Sequence, residues 1–555
     1  MYALLIDAMS AFDKIVRQCA VRSAYLAGTC DQGLLYLDSR LASRSTYTEW
    51  DKVIMGPIRD SLGLEQGGYN SGDLYKLNNN NQLTTAQLSQ LGVPVGPVVV
   101  SSVGQADDVL LSSDCIFKLL SLVYLTENYC QEYHVTLVPE KTKLMVFSPP
   151  GQEDIVNLAK AVNPITVAGL PIQFTDSAEH VGILRTTEGG NMPHILGRIS
   201  AHRGAVAGVL HTGLAKGHRG NPVAGLRVHR VYGASRLMSG VNTLVLSSPE
   251  LGVLHHHYKV SIRQILRLSD KTPECFVMLM AGTLPATALL HLAILSLVGM
   301  IARRGPDCIL NKIGRAALQG GSGSQSWFNQ ARHITQKYGL PDPLLVLQQP
   351  TTKGRWKSTC RSKVLDCWES QYRGEAVHLD SLLHFKSNYF SLSKPPRILA
   401  TAQSPYEVSR ALTAVRMMSG RYVSDHRTRH WDGANPEGLC RLCPPSQGQP
   451  APQGDLAHQL LLCQGLQEAR HRAVQLWAAH MADRPHLLPV VSYYSLGTRE
   501  DSLSFLLNPS SCPLVIGAAQ QHGPSVYDDC HFMARVWCHS IHSLRIKLLK
   551  LNGFI

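Results

Sequence analysis

The stretch Val98–Ser112 has the sequence VVVSSVGQADDVLLS. Two β-rich apolar runs flank a short polar turn that holds Asp107 and Asp108, a pattern that predicts a β-hairpin with adjacent carboxylates at its tip. Carboxylates this close raise each other's pKa unless a cation neutralises them. Mg²⁺ takes oxygen ligands and is often shared with substrate phosphates. The simpler interpretation is a solvated turn, because Asp is a common turn residue. A metal site therefore requires a further carboxylate from elsewhere in the chain.

A candidate for that carboxylate lies at the start of the sequence. The continuous apolar run Tyr2–Ile6 predicts a buried strand, and Asp7 follows directly at the end of that strand. The residues that follow have helical periodicity, so Asp7 also fits the cap of a helix. The predicted strand begins almost at the first residue, and we therefore expect the chain to be a fragment of a longer protein.

Length and charge limit the classes of protein to consider. A chain of 555 residues predicts about three or four domains. Its formal net charge of +13 favours an anionic partner, either nucleic acid or an acidic membrane surface. The 14 cysteines without a secretory signal predict a reducing compartment, with some thiols on metal. The longest apolar run, Leu284–Ala302, contains Pro285 and His291, and we predict a buried helix there instead of a membrane span.

The intervening segments predict alternating strands and helices. The glycine-rich turn Leu64–Gly72 leads into a helix, and the polar tract Asn78–Asn81 is predicted as a loop. Apolar residues at helical spacing predict an amphipathic helix over Cys115–Tyr133. The further predicted strands are one led by Lys141, one at Ile165–Leu170 and one at Ala178–Leu184.

Five short motifs, taken in order, resemble the palm motifs of a reverse transcriptase from a non-LTR (LINE-type) retrotransposon. These motifs are IDAMSAFDKI (6–15), EQGGYNSGDLY (65–75), QADD (105–108), VPEKTKLMVF (138–147) and EHVGI (179–183). Two positions depart from the family pattern, Gly72 where proline is common and Gln105 where an aromatic residue is common. Neither departure removes a carboxylate.

The resemblance implies which residues do the chemistry. It places Asp7, Asp107 and Asp108 on two Mg²⁺ ions, which activate a primer 3′-hydroxyl and stabilise in-line displacement at the α-phosphate. It places Lys141 near the leaving pyrophosphate, where a cation is favourable. It places Phe12, within the first motif, where the family carries the ring that blocks a ribose 2′-hydroxyl and selects deoxynucleotides. The implied substrate-binding residues are Phe12, Gln66, Gly67 and Ser71. Without the family, Phe12 also fits a core aromatic and Lys141 an ordinary surface charge.

A long acid-free segment follows the motifs. Residues 189–249 contain no Asp or Glu, and unopposed cations favour contact with a phosphate backbone. The resemblance places a thumb here, against the template–primer duplex; a solvated basic face is the alternative. The predicted nucleic-acid-binding residues are Arg198, Arg203, Lys216, Arg219, Arg227 and Arg230.

A second constellation lies near the C-terminus. Cys440-x2-Cys443 is followed by a loop rich in Pro, Gln and Gly and then by His458-x4-Cys463. This spacing predicts one structural, tetrahedral Zn²⁺ site, although a CxxC pair also arises by chance in a cysteine-rich chain. The arrangement resembles the CCHC knuckle of LINE proteins, which implies a role in holding RNA or target DNA and not in catalysis.

We therefore predict an α+β protein: a polymerase right-hand palm, a helical thumb and a mostly helical C-terminal region with a zinc knuckle. The predicted domains are 1–187 (palm, with the fingers largely missing), 188–318 (thumb and helical connection), 327–430 (helical linker), 436–475 (zinc knuckle) and 476–555 (helical tail). The tail ends in a basic amphipathic stretch, for which we favour a packing helix.

The predicted activity is RNA-directed DNA synthesis. Its expected partners are an RNA template, a DNA primer or target and deoxynucleoside triphosphates, with no membrane, and the family implies a nuclear location. Two other hypotheses use the same residues. One is a catalytically inactive nucleic-acid-binding protein derived from a retrotransposon, and the other is a two-metal nuclease.

Overall fold

The structure, a computed structural model, describes every residue except 10–11, 43–44, 60–61, 66–67, 106–107, 149–155, 158, 160, 162–164, 212–219, 321–325, 431, 446–448 and 555. The fold is α+β, mostly helical with small antiparallel sheets, as predicted at that level. The chain forms two compact units that interleave along the sequence. The first comprises residues 1–196, 300–330 and 343–350, and the second comprises residues 197–299, 331–342 and 351–555.

The strands of the described residues all lie in the first unit. They are β1 (Tyr2–Ile6), β2 (Ser45–Trp50), β3 (Val53–Arg59), β4 (Val93–Val95), β5 (Val98–Val100), β6 (Ser102–Gln105), β7 (Asp108–Ser113), β8 (Lys143–Val146), β9 (Thr166–Val167), β10 (Leu170–Pro171), β11 (Gln173–Phe174), β12 (Ser177–His180) and β13 (Ile183–Thr186). The main sheet has the order β11-β8-β1-β7-β6. Strand β1 lies at its centre, antiparallel to both β7 and β8, so the predicted first strand is confirmed as a buried one.

Alternation along β1 divides the main sheet into two faces. Tyr2, Leu4 and Ile6 join a large hydrophobic core with the helix over residues 116–133. Ala3 and Leu5 point the other way, into a small cluster with residues of β7, β8 and β12. This period-2 pattern is the one that the pleat of a strand imposes. One face is therefore packed by helices, while the other is covered by few side chains.

The α-helices with described bounds run through both units. They are α1 (Arg17–Leu26), α2 (Asp31–Ala42), α3 (Ser71–Leu88), α4 (Ile116–Tyr133), α5 (Met192–His211), α6 (Pro222–Val228), α7 (Ala234–Met238), α8 (Ser248–Ile265), α9 (Glu274–Ala281), α10 (Ala286–Arg303), α11 (Ile309–Gln319), α12 (Trp327–Lys337), α13 (Pro343–Gln348), α14 (Lys353–Val377), α15 (Arg397–Ala400), α16 (Pro405–Met418), α17 (Asp425–Thr428), α18 (Gln467–Met481), α19 (Leu488–Leu496), α20 (Arg499–Leu507), α21 (Pro513–His522) and α22 (Ser525–Leu551).

The asparagine tract 78–81 is helical, so the predicted loop is wrong. It lies in the middle of α3, where Asn78 and Asn79 are buried. The Asn78 side chain donates to the Tyr129 hydroxyl on α4, and Asn81 donates to the Tyr133 hydroxyl at 2.7 Å. These side chains are satisfied by a neighbouring helix, which removes the usual cost of burying an amide.

The second unit is built around the final helix, α22, which packs against α16, α18, α20 and α21. The predicted packing role of the tail is confirmed by buried residues along this helix, among them Met533, Val536 and Ile541. Arg545 of α22 is also buried and forms an ion pair with Asp425 at 3.1 Å. Polar anchors of this kind fix the position of the helix against the segment that precedes the Cys/His cluster.

Within the described residues, one helix, α10, is long and apolar enough to cross a membrane by length and composition. Half of that segment is buried inside the protein. Its His291 Nδ1 lies 2.7 Å from the Tyr338 hydroxyl, which also accepts a hydrogen bond from the Trp368 indole. These contacts are those of a core helix, and a single such segment is weak evidence for a membrane span.

Candidate functional site

Two of the predicted carboxylates lie at one end of the main sheet. Ile6 pairs with Val109 in the β1–β7 register, so Asp7 and Asp108 extend that register by one step. Directly opposed antiparallel residues have Cα atoms about 4.5–5.5 Å apart. The alternation that sends Ile6 and Val109 into the helix-covered core directs Asp7 and Asp108 to the opposite, more open face. The third predicted carboxylate, Asp107, lies outside the described residues.

Backbone pairing brings Lys141 to the same place. Asp7 O accepts from Val138 N at 3.0 Å, and the turn that follows is closed by Lys141 N donating to Val138 O. The Lys141 Nζ then lies 3.1 Å from Asp7 Oδ2. The lysine side chain is 71% exposed, so its ammonium remains open to an anionic ligand from solvent.

Phe12 stacks on Tyr75 of α3, with the ring centroids 4.6 Å apart. Arg17, which follows Phe12 along the chain, is buried and holds this part of the chain in place. Its guanidinium donates to the carbonyl oxygens of Leu41, Leu62 and Gly63 at 2.8–2.9 Å. Phe12 packs against a small hydrophobic core, which fits the alternative of a core aromatic, and this core fixes the direction of its ring.

His180 is a member of the site that sequence reasoning did not single out. It ends β12, and the two-residue turn that follows has positive φ at both Val181 and Gly182, the type I′ geometry of tight hairpins. Burial lowers the pKa of His180, while the nearby Asp108 acts in the opposite direction. Its Nε2 is buried with no hydrogen-bond partner among the described residues. The EHVGI motif held a signal, because its Val-Gly pair marks a tight hairpin turn directly after His180.

The remaining predicted residues divide into two groups. Ser71 is buried at the first turn of α3, and Arg203, Arg227 and Arg230 are exposed in the second unit, where Arg198 is half-buried. The binding roles of Ser71 and of these four arginines stay predictions. The predicted residues that lie outside the described part of the chain are Gln66, Gly67, Lys216 and Arg219.

The predicted metal ligands Cys440, Cys443, His458 and Cys463 converge, with all their candidate donor atoms within 4.8 Å of one another. Cys463 Sγ lies 3.6 Å from the sulfurs of both Cys440 and Cys443, and Cys443 Sγ lies 3.3 Å from His458 Nε2. A disulfide needs sulfurs about 2.05 Å apart. Tetrahedral Zn²⁺ with bonds of about 2.3 Å to sulfur separates its ligands by about 3.8 Å. The cluster therefore could hold a zinc ion, with ligand spacings slightly shorter than those of a filled site.

Backbone hydrogen bonds hold the chain around the Cys/His cluster. Cys440 N donates to Pro452 O, and Cys463 N donates to His458 O at the end of a π-helical turn. A hydrogen bond from Cys463 and the neighbouring His458 lower the pKa of Cys440 to about 4, which favours the thiolate that binds metal. All four ligand residues are buried, and the cluster is closed to solvent as structural zinc sites are.

Comparison with known proteins gives no assignment. No protein-family model matches the chain, and no curated protein is significantly similar to it.

Proposed function

We propose that this protein is an RNA-directed DNA polymerase that extends a primer 3′-hydroxyl with deoxynucleoside triphosphates. The observation that carries the proposal is the juxtaposition of Asp7 and Asp108 on the open face of the main sheet, with the Lys141 ammonium against Asp7. The order of the five palm-like motifs along the chain supports the same activity. A right-hand palm and thumb arrangement is part of the proposal.

The donor set fits divalent magnesium. Two carboxylates at the ends of adjacent strands would supply the hard oxygen ligands that Mg²⁺ prefers, and the Asp108 residue is exposed to solvent. Bound Mg²⁺ supplies Lewis acidity and orients the two reacting oxygens. Asp7 and Asp108 hold negative charge at the point where the primer hydroxyl and the α-phosphate meet.

The other residues of the site position the substrate. Lys141 carries its ammonium on an exposed stem, so it can leave Asp7 and contact the phosphates as charge develops on the leaving pyrophosphate. Phe12, whose ring is held by stacking on Tyr75, is the residue proposed to exclude a ribose 2′-hydroxyl.

Nucleic acid is the expected partner of the second unit. Arg203, Arg227 and Arg230 are exposed within a stretch that contains no acidic residue. A basic surface of this kind binds a phosphate backbone mainly by counterion release. The Cys/His cluster adds a candidate zinc knuckle in the same unit.

Primer extension tests the proposal. Purified protein with Mg²⁺, a poly(A) template, an oligo(dT) primer and dTTP is expected to incorporate nucleotide. The substitution Asp108→Asn should abolish incorporation by removing one charge while keeping the shape of the side chain. Asp114→Asn is the matched control, because Asp114 lies just beyond the other end of β7 in an exposed pair with Lys118.

Equal incorporation by the wild type and Asp108→Asn would overturn the assignment of the site. Absence of incorporation by the wild type, with binding of the template–primer retained, would instead favour the nucleic-acid-binding hypothesis. Cleavage of the template without extension would favour the two-metal nuclease.

A further inference from the structure

The first half of α14 carries a concentrated positive charge. Residues 343–365 contain no Asp or Glu. The same segment contains five exposed cations, Lys353, Arg355, Lys357, Arg361 and Lys363. The ion pair between Glu369 and Arg373 of this helix lies beyond them, and none of the five forms an ion pair in the part of the chain that the structure describes. We call these five side chains the α14 basic patch.

The patch lies on a helix that is fixed to the core of the second unit. Trp356 and Cys360 are buried beneath it, and the Trp356 indole donates to the Leu295 carbonyl oxygen of α10 at 2.7 Å. All other residues from 351 to 363 are exposed. The apolar face of this segment is therefore covered by protein, and the surface that remains is basic and polar.

The charges of α14 oppose the dipole of the helix. Its first turn has no acidic residue, and its N-cap residue Thr352 makes no side-chain capping hydrogen bond. Cations near a helix N-terminus are unfavourable, because that end carries partial positive charge on open N–H groups. Lys353 and Lys357 are also four residues apart, a spacing at which like charges on a helix repel each other. The patch therefore destabilises the helix locally, and a bound anion would relieve that cost.

We propose that the α14 basic patch binds the phosphate backbone of a nucleic-acid duplex. Lys353 and Lys363 are separated by about 15 Å along the helix axis. A duplex presents about nine negative charges over that length, enough for all five cations. The exposed hydroxyls of Ser358 and Thr359 lie between them and are of the kind that donates to phosphate. The proposal rests on the proposed function only in taking nucleic acid as the partner of this chain.

Other anionic partners fit this surface less well. A helix that lies on a membrane inserts an exposed apolar face, whereas the apolar face of α14 at the patch is buried in the protein. The core of a protein interface is apolar and aromatic, and residues 351–363 expose no large apolar side chain. Single strands bind largely by stacking of bases on aromatic rings, and Trp356, the aromatic residue of that segment, is buried. The backbone of a duplex is therefore the best match.

Fluorescence anisotropy of the full-length protein tests the proposal, with a short fluorescein-labelled DNA duplex and an RNA–DNA hybrid of the same sequence. The double substitution Lys353→Gln/Lys357→Gln should weaken binding by about tenfold. It should also reduce the steepness of the plot of log K against log salt by about two, one for each lost phosphate contact. The matched control is Lys547→Gln/Lys550→Gln, which removes two exposed lysines near the end of α22 in the same unit and should bind as the wild type does.

Thermal unfolding separates an effect on binding from an effect on folding. Because both substituted lysines oppose the helix dipole, Lys353→Gln/Lys357→Gln should melt at the same temperature as the wild type or higher. Asp108→Asn should lose primer extension yet keep duplex binding that depends on the patch. Failure of the polymerase assignment is therefore distinguishable from failure of this proposal.

The outcomes separate the hypotheses. Weaker binding of the DNA duplex and the hybrid alike supports the proposal, and weaker binding of one alone supports it and identifies the duplex. Equal weakening by the control pair would overturn it, because the effect would then be one of net charge, and so would a lower melting temperature of Lys353→Gln/Lys357→Gln. Unchanged duplex affinity of that variant would overturn it as well. Weaker binding of the same variant to phosphatidylserine vesicles or to poly-glutamate would then assign the patch to a membrane or to an acidic protein.

Discussion

Substitution of Cys463 by serine should destabilise the second unit through loss of zinc. Cys440 and Cys463 are 23 residues apart, and their sulfurs approach within 3.6 Å. A crosslink that closes a loop of that length removes chain entropy worth about 3.4 kcal/mol from the unfolded state, with a metal treated like a disulfide. For a unit of roughly 320 residues, that free energy corresponds to about 5 °C in melting temperature.

The assay combines metal analysis with thermal unfolding. Wild-type protein should contain about one zinc per chain, as expected of a four-ligand site, and should melt at lower temperature after a strong chelator removes the metal. Cys463→Ser should contain less zinc and should respond little to the chelator. Cys360→Ser is the matched control, because Cys360 is also buried in the second unit but lies outside the cluster.

Two results would refute this reasoning. One is a wild-type protein with much less than one zinc per chain. The other is a melting temperature of Cys463→Ser equal to that of Cys360→Ser, with no effect of the chelator on either, because the stabilisation would then come from burial of the thiol alone.

Three further predictions concern acid stability, a buried ion pair and the lysine of the proposed site. Burial lowers the pKa of His229 to about 3 and that of His291 to about 4, so between pH 6.5 and those values the unfolded chain binds protons that the folded protein does not. The free energy of unfolding should therefore decrease as the pH is lowered through that window, by about 2 kcal/mol per histidine at pH 5. The substitution His291→Gln should weaken the pH dependence of the urea midpoint. An unchanged pH dependence would contradict the assignment. Arg545→Met should lower the free energy of unfolding by about 3–5 kcal/mol, because it leaves the buried Asp425 carboxylate without its partner. Adding Asp425→Asn to this variant should restore most of the lost stability. Additive losses of the two substitutions in urea unfolding would exclude coupling between the two residues. Lys141→Ala should lower primer extension without changing the melting temperature, because the side chain is exposed, and unchanged extension would remove Lys141 from the proposed site.

Periodicity and spacing predicted the local features of the chain. The apolar run of β1 and the helical spacing of α4 each encode one element, and both elements are confirmed. The Cys/His cluster was predicted because its four ligands lie within one short segment, where spacing alone limits the geometry. Its ability to hold a metal is supported by the convergence of buried donors. The location of Asp7 beside Asp108 also follows from local pairing, because the antiparallel register between β1 and β7 continues from one residue pair to the next.

Features that depend on distant partners were not predictable in this way. The asparagines of α3 looked like a loop because the tyrosines that satisfy them lie on α4, about fifty residues away along the chain. His180 lies near Asp108 only in the folded chain, where it ends a strand of a separate two-stranded sheet. The two interleaved units cross the contiguous domain boundaries of the sequence prediction, whose functional labels stay untested.

The pair between Asp425 and Arg545 has a consequence for the order of events during synthesis. The ribosome releases Asp425 and the cysteines of the cluster well before it releases Arg545, which lies 120 residues beyond Asp425. A nascent chain can therefore bring the Cys/His cluster together while its carboxylate at 425 is still hydrated. The last helix then supplies the guanidinium that allows this carboxylate to be buried. A premature stop codon just before Arg545 would leave the four cluster residues intact and yet remove the partner of the buried Asp425 carboxylate.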